Sequence, residues 1–89
     1  MYDYEALEEG LNAINAPREG WLTEEERAQV GDFIEVGEYG LAYEVLSDIL
    51  DERGVAVPAD IYHELVRLGR KMGLDESTWL KLRPLVTEG

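Results

Sequence analysis

Glu44, Asp48 and Asp51 follow one another at spacings of four and three, so on a helix their carboxylates stand on one face. Carboxylates grouped this way can do acid and base chemistry, ligate a cation, or recognise a basic surface. Acid and base work needs a cleft that raises one pKa above its neighbour, and a small helical chain offers little room for one. Cation ligation of the EF-hand kind needs an Asp-x-Asp-x-Asp-Gly loop, and Asp48 to Glu52 lack that order. Recognition remains. Like charges at this spacing weaken a helix by roughly 0.2 to 0.5 kcal/mol per pair, and Asp51 and Glu52 fall in a last turn, where the helix dipole disfavours them. Local stability therefore does not account for the stripe. Asp32, Glu35 and Glu38 extend it, and no Lys or Arg occurs from residue 28 to residue 52. Tyr39 and Tyr43 lie among the acids as aromatic anchors of the kind interfaces favour. Tyr39 is the better anchor, because Tyr43 can turn in against Leu46 and Leu50. The expected partner-binding set is Asp32, Glu35, Glu38, Tyr39, Glu44, Asp48 and Asp51.

Other chemistry is ruled out motif by motif. His63-Glu64 opens like the HExxH of zinc enzymes, but Arg67 occupies the position of the second histidine. His63 is then a partly exposed packing residue. Gly37-Glu38-Tyr39-Gly40 has the form of an RNA-clamping GxxG loop, which needs basic surroundings, and here the turn residue is Glu. There is no P-loop and no GxGxxG. With no cysteine there is neither a disulfide nor a thiolate metal site, which suits a cytoplasmic setting. The chain reads as non-enzymatic, with no cofactor and no metal.

Charge is unevenly placed along the 89 residues. Residues 1–52 hold 15 Asp and Glu against two Arg, whereas residues 53–89 hold five acids against six bases, within a net charge of −12. Such a field repels nucleic acid and anionic membrane and speeds encounter with a basic protein. Leu, Ile, Val and Phe number 24 of 89, above the roughly 20% expected of a highly charged disordered chain. A packed fold follows, in one domain spanning 1–89 that buries about 60 to 65% of its extended surface. No apolar run is long enough for a signal peptide or a membrane span.

The elements that position the acids form an all-α bundle of four main helices plus a short C-terminal one. The first runs from about Asp3 to Asn15 on a stripe of Tyr4, Leu7, Leu11 and Ile14. A loop anchored by Trp21-Leu22 leads to Thr23 and Glu26, which form a capping box, and Glu24 to Glu26 also suit the positive helix N-terminus. Gly31 suggests close approach by Trp21 or a helix. Phe33 to Leu50 is a helical hairpin with its corner at Gly37-Glu38-Tyr39-Gly40, where Gly37 ends one helix and Gly40 lets the next start close to a neighbour. That third helix closes at Gly54. After the extended Val55 to Pro58, a fourth helix carries Ile61, Leu65, Leu68 and Met72 and stops at Gly73. Asp75 caps a short fifth with Trp79, Leu80 and Leu82, and Pro84 ends it.

FIEVGEYGLAYEVLSDIL and VPADIYHELVRLGRKMGLDESTWLKLRPLV, together covering roughly residues 30 to 86, resemble the MafI family of bacterial immunity proteins, with GEYGLAYEVL a moderately specific motif. That resemblance implies a small helical protein, made beside a secreted polymorphic toxin, that binds the toxin's C-terminal domain and protects the producing cell. Many such domains are nucleases. A nuclease groove is basic to hold phosphate, and an acidic helix pair can occupy it as a phosphate substitute. The alternatives are an acidic adaptor for another cellular partner and a nucleic-acid mimic that blocks a DNA-binding protein. Residues 1–29 carry nothing matched to the family.

Overall fold

The computed structural model describes residues 3–88. In chain order these form α1 (Tyr4–Asn15), α2 (Glu24–Glu35), α3 (Tyr39–Arg53), β1 (Val57–Pro58), α4 (Ala59–Lys71), α5 (Ser77–Leu80), a 3₁₀ turn (Arg83–Leu85) and β2 (Val86–Thr87). The all-α bundle expected from the sequence is present. One small addition is a parallel two-stranded ladder that pairs Val57 with Val86 and Pro58 with Thr87.

The first two helices begin where the sequence provides side-chain partners for the free backbone amides. Asp3 accepts the Ala6 amide at 3.1 Å to start α1. The α2 capping box is complete, with Thr23 Oγ1 accepting the Glu26 amide at 3.1 Å and Glu26 Oε1 accepting the Thr23 amide at 2.8 Å. At the corner Gly37 adopts φ +79°, and the Glu38 amide reaches back to the Phe33 carbonyl at 2.9 Å. This is the left-handed termination that glycine permits without a Cβ penalty. It turns the chain so that α3 packs against α2. Asp75 Oδ1 accepts the Ser77 amide at 2.9 Å ahead of α5.

The core joins Leu7, Leu11 and Ile14 of α1 to Val30, Ile34, Leu46, Leu50, Leu65 and Leu68 of the next three helices. Trp21 and Leu22 are buried, and the Trp21 indole donates to the Ile14 carbonyl at 2.8 Å, so the α1–α2 loop is anchored. Asn15 and Arg27 reinforce it by exchanging side chain-to-carbonyl bonds of 3.0 and 2.8 Å.

Tyr43 is fully buried and donates its hydroxyl to the Leu65 carbonyl at 2.6 Å, fastening α3 to α4. Burial pushes its ionisation far above the ordinary phenol range, and the charge of Tyr62 adds to this. On α4, Gly69 lies against the Trp79 ring so closely that a Cβ built there would stand 2.5 Å from two ring carbons and 2.9 Å from the Tyr43 hydroxyl.

Several expected packing roles change. Tyr4 is 61% exposed and belongs to the surface, because α1 turns Leu7, Leu11, Ile14 and Asn15 inward. Leu80 is also exposed, since Trp79 and Leu82 fill the site beneath α5. Met72 keeps its packing role, half-buried against the core. Gly31 is approached by α1 rather than by Trp21, through the side-chain amide of Asn15 at 3.6 Å from a Cβ built there, and nothing lies within 4 Å of a Cβ built at Gly40. Pro84 sits inside the 3₁₀ turn, where its fixed φ is compatible with the geometry, and so does not end α5.

Candidate functional site

Helical periodicity sorts α3 cleanly into two sides. Ala42, Tyr43, Leu46, Ser47 and Leu50 are buried, while Leu41, Glu44, Asp48 and Asp51 are exposed at spacings of three, four and three. On α2, Val30 and Ile34 face the core and Asp32 and Glu35 face solvent, as does Val36 just after the helix. The acid stripe is therefore a real surface, and Asp32, Glu35, Glu38, Glu44, Asp48 and Asp51 are all exposed.

One of the six is not free. Lys81, just after α5, donates to Asp48 Oδ1, so a cation from a distant part of the chain reaches a stripe that has none within its own segment. Asp32, Glu35, Glu38, Glu44 and Asp51 have no ion-pair partner among the described residues. Glu38 precedes α3 without making a side-chain capping bond. Arg53, at the far end of α3, turns away from the stripe. It clamps Glu26 with bonds of 2.7 and 2.8 Å and the Trp21 carbonyl with one of 3.1 Å.

At the hairpin corner the charged surface meets apolar side chains. Tyr39 is half-buried and its ring centroid lies 6.1 Å from that of Tyr4. These two rings, with Leu7, Gly37, Met72 and Leu74, line a shallow depression of about 260 Å³. Desolvation raises the Tyr39 phenol above its ordinary value of 10.0, and the carboxylate of Glu8 beside it acts the same way. Val36 at 70% and Leu41 at 44% exposure extend the apolar surface onto the hairpin itself. Tyr4, Tyr39 and Glu8 thus meet on the α1 side of the corner, while Val36 and Leu41 are exposed on the hairpin beside Glu35 and Glu38 in sequence.

Sequence reasoning singled out the acids and Tyr39, placed Tyr4 on the inward stripe of α1, and did not consider Val36 and Leu41. The signal for Leu41 was available, since it continues the Glu44, Asp48, Asp51 register by one step. Tyr43 leaves the site for the core, the outcome that its neighbours Leu46 and Leu50 had allowed. No group of His, Asp and Glu among the described residues is arranged to hold a metal ion. The arrangement suits contact with a basic surface that has an apolar centre. No family model matches the chain, and no curated protein and no solved structure matches it either.

Proposed function

We propose that this protein is an immunity protein that binds and neutralises the basic C-terminal domain of a cognate secreted toxin, a nuclease domain in the form that best fits the charge. The observation that carries the reading is the α2–α3 hairpin, on which Glu35, Glu38, Glu44 and Asp51 are exposed without ion-pair partners and Val36, Leu41 and the half-buried Tyr39 offer apolar surface. Protruding carboxylates complement a phosphate-binding groove, and the apolar corner supplies the desolvated centre that stable interfaces need. The resemblance to the MafI family points the same way. In this reading the protein performs no reaction and acts by occupying its partner.

The test is co-expression with the polypeptide encoded immediately upstream, scored for a stable complex and for relief of growth arrest. Glu44→Lys combined with Asp51→Lys should weaken binding by roughly 2 to 5 kcal/mol if the stripe is central, with the fold unchanged by circular dichroism. Asp48→Lys is a less direct probe, because it also removes the bond to Lys81 and places two ammonium groups together. Absence of any complex would sink the immunity reading. A double variant that binds and protects like the parent would move the interface elsewhere, with Glu5, Glu8 and Glu9 of α1 next in line.

A further inference from the structure

The acidic hairpin leaves one polar face of α4 unused. Ala59, His63, Val66 and Arg70 recur there at spacings of four, three and four, with Arg67 beside them. Arg83 of the 3₁₀ turn, Leu80 of α5 and Val86 of β2 complete an open groove of about 870 Å³. That lies within the roughly 300 to 1,000 Å³ of ordinary ligand sites.

The charge in this groove runs against the rest of the molecule. Three of the chain's eight Lys and Arg line it, against one carboxylate, Glu88. Glu64 partly neutralises Arg67 from one turn back on α4. Arg70 and Arg83 have no ion-pair partner among the described residues. The negative end of the helix dipole accounts for Arg70 in the last turn of α4. It does not account for Arg83, which stands on a separate three-residue turn. Apolar surface in the same groove comes from Leu80, 40% exposed, and from the half-buried Tyr62.

We propose that this groove docks a short acidic segment of another protein, whose carboxylates pair with Arg70 and Arg83 while its apolar side chains rest on Leu80 and Tyr62. The planar guanidinium fork matches a carboxylate in two parallel hydrogen bonds, which a point charge cannot do. A nucleic acid suits the groove less well, since its phosphates continue beyond the guanidiniums into the field of a body of net charge −12. A second copy of this chain brings that same charge with it. A short peptide places its few carboxylates only where the cations stand. This inference is independent of the acidic hairpin and of the toxin reading.

The experiment titrates the ¹⁵N-labelled full chain with the blocked peptide Leu-Glu-Leu-Asp-Leu-Glu and follows amide shifts. Perturbations should centre on Arg67 to Arg70 and Arg83 to Val86, with a Kd on the order of 100 μM that weakens several-fold as salt rises from about 0.05 to 0.15 M. Arg70→Gln with Arg83→Gln should weaken binding roughly ten-fold while the remaining spectrum keeps its dispersion. No perturbation at about 1 mM peptide, or equal binding of the uncharged Leu-Gln-Leu-Asn-Leu-Gln, would overturn the proposal. So would equal or tighter occupation of the same amides by inorganic phosphate or by single-stranded DNA, which would make the groove a general anion or nucleic-acid site.

Discussion

Glu26 shows how much one side chain can hold together. Its carboxylate accepts the Thr23 amide to cap α2 and also receives the Arg53 fork from the end of α3. Burial works to raise its pKa, but the Thr23 amide and Arg53 outweigh burial and hold it below the ordinary value of 4.5. A carboxylate depressed in this way contributes stability that is fully present above its unfolded-state pKa and is lost as pH falls through the folded-state value. Glu26→Gln should therefore cost about 1 kcal/mol at neutral pH, the scale of a cap or a well-formed exposed pair. The difference from the parent should shrink on acidification below about pH 4. Urea midpoints measured across that range check both statements, and a difference independent of pH would show that the charge is immaterial.

At the scale of elements, helix starts and stops were the most legible feature, because Thr23, Glu26, Gly37, Gly54 and Gly73 act through bonds to their own near neighbours. Relations between elements were less so. Lys81 and Asp48 are 33 positions apart, and no local pattern joins them. Likewise Arg70 and Arg83 share a groove only because the segment after α4 folds back. Tyr43 was ambiguous until the Leu65 carbonyl was seen to accept its hydroxyl. Gly69 was passed over, although a glycine within a helix can mark a close approach, as Gly31 was read to do.

In propensity terms Gly69→Ala should gain up to about 1 kcal/mol. Against this, the new methyl would stand 2.5 Å from the buried Trp79 ring, and overpacking of that kind costs about 1 to 3 kcal/mol. Since Trp79 is 4% exposed and has little room to retreat, the loss should prevail. A lowered Tm in calorimetry is the expected result. A raised one would show that the α4–α5 contact is slack.

Taken whole, the molecule has an acidic hairpin and a basic groove built from different stretches of chain, within extents of 33 × 26 × 21 Å. The unequal split of charge between residues 1–52 and 53–89 was readable from the first pass. Its resolution into two separate surfaces was not, because that depends on which faces the core consumes. The two tryptophans fall on either side of the same division. Trp21 belongs to the α1–α2 loop, and Trp79 to the contact between α4 and α5.

Both rings are shielded from water, at 6% and 4% exposure, so each is a fluorophore whose emission should shift to longer wavelength when its own surroundings open. Single-tryptophan variants, with the other ring replaced by Phe, would report the melting of each half separately. With Tyr43 fastening α3 to α4 and α1 packed on both, the two traces normalised to fraction unfolded should superimpose in urea, as a single cooperative transition requires. If the Trp79 trace moved first, α5 and the β2 ladder would form a separately melting cap, and the basic groove would open while the acidic hairpin was still intact.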